Sequence, residues 1–224
     1  PVPPPWTTTG GAPVAIDGNA TPPGATISNR QPEPASPGYA GSPVNIESVE
    51  LFRSGDVTIT RERTLQSGSQ RLNQLVINTG NGDDDVQVTQ RSDDKLDVSI
   101  NGKAFELTLA AGQELAVRTA DGHDVVHAAP NVRVNMTVDG GDGDDNIVTG
   151  AGQDRVDGGL GNDNIITGAG KDYAFGNTGD DRIATGADDD VVYGGDGQDR
   201  LIGGDGRDFI DGGKGNDAID GGLG

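Results

Sequence analysis

From Gly140 to the end of the chain one apolar residue recurs at every ninth position: Ile147, Val156, Ile165, Ala174, Ile183, Val192, Leu201, Ile210 and Ile219. Between them stand glycine, aspartate and small polar residues. The copies read GGDGDDNIV (140–148), TGAGQDRVD (149–157), GGLGNDNII (158–166), TGAGKDYAF (167–175), GNTGDDRIA (176–184), TGADDDVVY (185–193), GGDGQDRLI (194–202), GGDGRDFID (203–211) and GGKGNDAID (212–220). A strict period this short predicts a solenoid of stacked units. The last three residues of each copy are too few to nucleate a helix. They predict a very short strand, its middle side chain inward and its neighbours outward. The glycines at positions one, two and four predict a tight turn with positive φ and close backbone approach. A turn plus a strand reverses the chain, so two nonamers make one coil and residues i and i+18 stack.

Upstream the pattern is β-like without the strict beat. Val49–Phe52, Val57–Thr60 and Leu75–Asn78 are short β-rich runs. KLDVSINGKAFELTL (95–109) reads as a hairpin, two alternating strands around Asn101-Gly102. TGNGDDDVQ (79–87) and TADGHDVVH (119–127) echo the nonamer, and VRVNMTVDGG (132–141) feeds the regular array. Residues 44–139 therefore read as a β-rich cap or as early, degenerate coils with the hairpin inserted, covering the apolar end of the stack. A separate sandwich domain is the alternative. Residues 1–43 hold eleven of the twelve prolines and read as a Pro/Gly-rich linker, with PVPPP a spacer rather than a docking peptide.

Chemistry enters at position six, which is aspartate in all nine complete copies: Asp145, Asp154, Asp163, Asp172, Asp181, Asp190, Asp199, Asp208 and Asp217. Stacked strands lie roughly 4.8 Å apart. Carboxylates at that spacing repel by about 1 kcal/mol each even at water's dielectric constant. The few basic residues, such as Arg155, Lys171, Arg182 and Arg207, are scattered and point outward by position. A carboxylate row beside backbone carbonyls suits a hard cation. Calcium takes six to eight oxygens in flexible geometry, magnesium demands an octahedron and keeps its waters, and zinc wants the His or Cys that the repeats lack.

Through GGDGQDRLI, GGDGRDFID and GGLGNDNII the chain resembles the RTX (repeats-in-toxin) family, whose hemolysin-type repeat reads GGxGxDxUx with U a large apolar residue. The resemblance covers residues 140–224 and implies an all-β fold, a right-handed parallel β-roll. It implies calcium held between turns i and i+18 by the position-six aspartates and by main-chain carbonyls of the glycine turns. The turn residues are Gly141, Gly143, Gly159, Gly161, Gly195, Gly197, Gly204, Gly206, Gly213 and Gly215. Counting pairs on both edges, six to eight ions are expected. Departures are Thr149, Thr167 and Thr185 at position one, Asn177 and Thr178 in one turn, and Asp188 for the fourth-position glycine. A Cβ at Asp188 is expected to resist the required backbone angles. Ala174, between Tyr173 and Phe175, is expected to alter the packing locally. Asp84 and Asp124 hold the aspartate place in the echoes, where a metal-free turn is the plainer reading and a calcium ligand the sharper one.

The formal charge of −20 and an apolar share of 32% sharpen the picture. So thin a core is not expected to fold without ions. An ion at ten times its dissociation constant adds about 1.4 kcal/mol per site. That makes the array a calcium-dependent folding switch. There is no cysteine, so disulfides are excluded. No apolar stretch is long enough for a membrane-spanning helix, and strong acidity argues against nucleic acid. The chain opens PVPPPW, without initiator methionine or signal peptide, and stops inside a repeat, so a fragment of a larger protein is expected. HDVVH (123–127) has the histidine spacing of a zinc peptidase signature, but that signature needs a helix and these residues read as strand. No GxSxG occurs, and no catalytic set is expected in this segment. The resemblance implies a secreted bacterial protein, exported unfolded through a type I system and folding on meeting external calcium. The rivals are an adhesive module with Tyr193 and Phe175 exposed, and the non-catalytic region of a hydrolase, peptidase or effector.

Overall fold

A computed structural model describes residues 13–17, 26–28, 46–64 and 73–224. All regular structure among them is strand. In chain order these are β1 (Val14–Asp17), β2 (Thr26–Ser28), β3 (Ile46–Ser54), β4 (Val57–Thr64), β5 (Asn73–Asn78), β6 (Asp85–Ser92), β7 (Lys95–Ile100), β8 (Lys103–Thr108), β9 (Glu114–Arg118) and β10 (Val125–Ala128). There follow β11 (Met136–Asp142), β12 (Asn146–Val148), β13 (Arg155–Leu160), β14 (Asn164–Ala169), β15 (Tyr173–Thr178), β16 (Arg182–Ala187), β17 (Val191–Asp196), β18 (Arg200–Asp205), β19 (Phe209–Lys214) and β20 (Ala218–Leu223).

From β9 onward successive strands alternate between two ten-stranded sheets, and every pairing among them is parallel. In the first sheet Ile147 pairs with Ile165, Ile183, Leu201 and Ile219 in turn. In the second, Val138 pairs with Val156, Ala174, Val192 and Ile210. Each step is 18 residues, as the nonamer dictates. This is a parallel β-roll.

The echoes join the same ladders with wider steps. Val86 pairs with Val126, and Val126 with Ile147. Ile77 pairs with Val117, and Val117 with Val138. The first coil is long because β7 and β8 leave it as a hairpin. Its turn residues Asn101 and Gly102 both have positive φ, +50° and +75°, as a two-residue hairpin turn requires.

The end of the roll is covered by two antiparallel extensions. Strands β7 and β8 continue the first sheet beyond β6, and β4, β3 and β2 continue the second beyond β5. Phe52 and Phe105 meet between them edge to face at 5.0 Å. One buried apolar cluster runs without a break from Ile16 to Leu201. The cap and the roll share a core. Two short strands fall inside the proline-rich stretch: β1 pairs with β8 and β2 with β3. Ile16 is buried there, an anchor that the surrounding prolines and glycines hid. The PVPPP segment lies outside the described residues. At the other end Ile219, an inward position by register, is 52% exposed.

Candidate metal centre

The site is built by the turn between two strands. From β13 on the strands run six residues, through positions one to three of the next copy, where the spacing predicted three-residue strands. Position six ends the short turn just before the next strand, with its side chain inward. Its backbone continues the ladder: Asn164 N–H donates to Asp145 O at 2.8 Å and Arg182 N–H to Asp163 O at 2.8 Å. Its carboxylate does a second job. The Asp145 N–H donates to Asp163 Oδ1 (2.9 Å), Asp163 N–H to Asp181 Oδ1 (2.8 Å), Asp181 N–H to Asp199 Oδ1 (2.9 Å) and Asp199 N–H to Asp217 Oδ1 (3.1 Å). The other edge repeats this through Asp154, Asp172, Asp190 and Asp208 at 2.8–3.0 Å. The column extends below the array, from Asp124 N–H to Asp145 Oδ1 and from Asp84 N–H to Asp124 Oδ1. At its foot the hairpin residue Asn101 donates its side-chain amide to Asp84 Oδ1 at 2.6 Å.

One carboxylate oxygen is thus a structural rung, and the other is left over. Oδ2 is buried without a hydrogen-bond partner in Asp84, Asp124, Asp145, Asp154, Asp163, Asp172, Asp181, Asp190, Asp199 and Asp208. Asp145 through Asp199 are 3% exposed or less. A buried carboxylate oxygen without a donor is strongly unfavourable. Burial, ahead of the neighbouring carboxylates, pushes the acid groups of Asp145, Asp172 and Asp181 up to about 7 and that of Asp163 to about 6. Asp154, Asp190, Asp199 and Asp124 move in the same direction for the same cause.

These oxygens fit a hard cation and little else. Among the described residues no three His, Cys, Asp or Glu side chains gather. A cation must therefore complete its shell with backbone carbonyls, as calcium does readily. The glycine turns bring carbonyls close. A Cβ on Gly140 would overlap Asp145 Oδ2 and come within 2.5 Å of Gly158 O. Glycine at position one keeps that cradle open, and Gly176 and Gly194 repeat it. At positions two and four, Gly159 and Gly161 have φ of +112° and +129°, and a Cβ on either would overlap the carbonyl of Gly141 or Gly143 one coil earlier. The same stacking recurs at Gly195, Gly197, Gly204, Gly206, Gly213 and Gly215.

Three expectations are corrected or refined. Asp188 does reach the left-handed region, at φ +84°, and its N–H still donates to Asp205 O at 2.8 Å, because aspartate tolerates this conformation better than most residues. Asn177, at φ +72°, does the same, and its side chain bonds Asp157. Phe175 is not an exposed ridge: it is 8% exposed, stacked on Tyr193 at 5.3 Å and overlain by Arg155 at 4.3 Å. Tyr193 is exposed. The two histidines do not form a site. His127 is exposed on strand β10, and His123 lies in the turn, where its Nδ1 accepts from Asp144 N–H at 2.9 Å.

Sequence reasoning missed a second ladder at position five. Asn162 N–H donates to Asp144 Oδ1, Asp180 N–H to Asn162 Oδ1 and Gln198 N–H to Asp180 Oδ1, all at 2.7–2.8 Å. The recurrence of Asp or Asn at that position was its signal. The repeat-family model described as the RTX calcium-binding nonapeptide repeat matches four overlapping stretches, 139–174, 166–201, 175–208 and 193–224. No curated protein and no solved structure matches the chain significantly.

Proposed function

Residues 139–224 are RTX-type calcium-binding repeats, and from this we propose that calcium drives the roll to fold by bridging successive coils. The ligands in this reading are the position-six carboxylates, from Asp145 to Asp217, with main-chain carbonyls of the glycine turns: that of position one, as at Gly158 beside Asp145 Oδ2, and those of positions two and four, such as Gly141, Gly143, Gly159 and Gly161. The observation that carries it is the column of buried Oδ2 oxygens without donors. A divalent cation supplies the charge that this column lacks. The protein's own part is to aim the carboxylates, through the amide bond to each Oδ1, and to bring carbonyls against them by leaving out Cβ atoms. The roll at 140–224 is then a folding switch, the β-rich region at 44–139 its cap, and residues 1–43 largely a tether.

Repeats of this kind are typical of secreted bacterial proteins. We infer a module of a larger exported protein that folds where calcium is plentiful. No helix among the described residues is long and apolar enough to cross a membrane. The matched family is one of repeats rather than of enzymes, which supports a non-catalytic region. The test is circular dichroism of the whole chain with and without a chelator, paired with a calcium titration. Loss of most β signal on chelation, restored by calcium and not by equal magnesium, is the expected result. A spectrum indifferent to the chelator overturns the reading.

An adhesive role has one observation in its favour. Tyr173, Tyr193 and Phe209 stand exposed on the outer face of the second sheet, with Tyr193 and Phe209 5.7 Å apart. Capture of a surface component by the native chain, lost on replacing Tyr173, Tyr193 and Phe209 with serine, would establish it. Equal capture by both proteins would remove it.

A further inference from the structure

The two edges of the roll differ at one residue. On the edge of Asp145, Asp163, Asp181, Asp199 and Asp217, position one is glycine: Gly140, Gly158, Gly176, Gly194 and Gly212. On the edge of Asp154, Asp172 and Asp190 it is Thr149, Thr167 and Thr185. Each of these threonines is 3% exposed or less. Each holds its hydroxyl close to the position-six carboxylate of its own copy as well as to the position-one carbonyl of the next coil, and the bond geometry favours the carbonyl. Thr149 Oγ1 donates to Thr167 O at 2.8 Å, Thr167 Oγ1 to Thr185 O at 3.1 Å and Thr185 Oγ1 to Gly203 O at 2.9 Å. On the glycine edge the equivalent carbonyl, Gly158 O, faces the space that a Cβ on Gly140 would fill, with Asp145 Oδ2 at its other side.

The threonine therefore occupies that space and takes up the carbonyl. A cation placed there would meet a methine, a methyl and an oxygen whose proton points at its would-be ligand. The hydroxyl also ties one coil to the next, which is the work calcium does elsewhere in the roll. Of the irregular turns, the later one carries the same bond, Thr119 Oγ1 donating to Gly140 O at 2.8 Å, whereas Thr79 holds the equivalent place in sequence but its buried hydroxyl makes no such bond. On the threonine edge the substitution stops at Gly203, where a Cβ would again overlap Asp208 Oδ2.

We propose that the threonine column substitutes for the cation: joints roofed by Thr149, Thr167 and Thr185 are held by hydroxyl-to-carbonyl bonds, and calcium loads first at joints whose first position is glycine. The proposal rests on the calcium reading above and refines it. The array has four inter-coil joints on each edge, the last formed with the truncated copy at 221–224. Eight joints less the three with threonine leave five that load tightly. The column thereby biases loading to one edge and gives the opposite edge ion-independent ties.

The test counts ions on the whole chain by native mass spectrometry during a calcium titration, with calorimetry to resolve affinity classes. The native protein should show a tight class of about five ions, one per glycine-roofed joint. The T149G/T167G/T185G variant, counted at saturating calcium, should raise that class toward eight. A companion variant, T149V/T167V/T185V, keeps the volume and removes the hydroxyl. It should leave the tight count unchanged and lower the melting temperature measured in saturating calcium, where the roll is folded. Equal tight counts in the native and glycine proteins overturn the proposal, as does a valine variant that melts in saturating calcium like the native chain. If neither native nor glycine protein binds calcium, it is the calcium reading itself that falls.

Discussion

The cap and the roll share one core yet are held by different forces. In the cap the interior is side chain against side chain. Ile59, Leu75, Ile77, Leu96, Ile100, Phe105, Leu107 and Leu115 are all 1% exposed or less, and they close over one another from two sheets. In the roll each nonamer contributes one apolar residue, and the rest of the interior is aspartate, threonine and glycine backbone. Apolar burial needs no partner outside the chain. A column of buried carboxylates does, because unsatisfied charge costs more than a single valine or isoleucine returns. Two stretches of one β-ladder can thus differ wholly in what they require of the solvent.

The largest expected effect separates the two by removing the ion. Hydrogen exchange in chelator should show amides of β13–β20 exchanging fast while β5, β7, β8 and β9 stay protected, since local stability follows buried apolar contact. Uniform exchange in both regions would erase the distinction and make the molecule one cooperative unit. Next comes a pair of core truncations. Leu115→Ala in the cap should cost about 2–5 kcal/mol, by the same amount in calcium and in chelator. Ile165→Ala in the roll should cost a similar amount in calcium only, because without calcium there is no packed state for it to damage. Denaturant titration of each variant under both conditions reads the difference. A chelator-independent penalty for Ile165→Ala would show that the roll packs without ions.

Much of this contrast was legible in the sequence, and the reason is periodicity. A nine-residue beat assigns every position a role, so the 18-residue register, the inward Ile147-to-Ile219 line and the two aspartate rows follow from spacing alone. The hairpin at Asn101-Gly102 was equally plain, since the turn needs two left-handed residues. What stayed hidden depends on contacts between coils. Nothing in the spacing said that Oδ1 is already occupied by an amide and Oδ2 is not, and this split is what makes the row a candidate site. The threonine hydroxyl bonds and the position-five ladder are likewise relations between residues in neighbouring coils. Strand β1 was masked by its flanking composition, although Val14 and Ile16 alternate as a strand should.

A smaller effect sharpens the comparison through pH. The folded roll raises Asp145, Asp172 and Asp181 to about 7 and Asp163 to about 6, from an ordinary 3.8. Folded and ion-free, it therefore binds more protons than the unfolded chain between those values. Stability then falls as pH rises: the contribution is fully present below the ordinary value and gone once pH passes the raised one. In chelator, the roll's β signal should be retained at about pH 4 and lost by about pH 8. The cap, whose core carries only the foot of that column at Asp84 and Asp124 beside a large apolar interior, should hold its exchange protection across the same range. A roll less ordered at acid pH than at neutral pH would reverse the sign and count against buried carboxylates as the source of ion dependence.

The smallest effect concerns a single backbone angle. Asp188 adopts φ +84° at a place where the other turns on its edge use glycine, as at Gly170 with φ +124°. A side chain in this conformation costs up to about 1–2 kcal/mol, less for aspartate, whose short polar side chain bonds locally. Asp188→Gly removes that cost, and the stacked contact at Gly206 is made by the Asp188 carbonyl, which the substitution keeps. It also removes one negative charge beside Asp190, where Asp188 is among the groups raising the acid constant. Both changes point the same way, so the calcium-loaded roll should gain about 0.5–1 kcal/mol, after the loss from a more flexible unfolded chain. The gain should appear as a small rise in denaturant midpoint with an unchanged slope, and the cap's protection should not move. A loss of stability would mean that the Asp188 carboxylate, rather than its backbone, is what the turn needs.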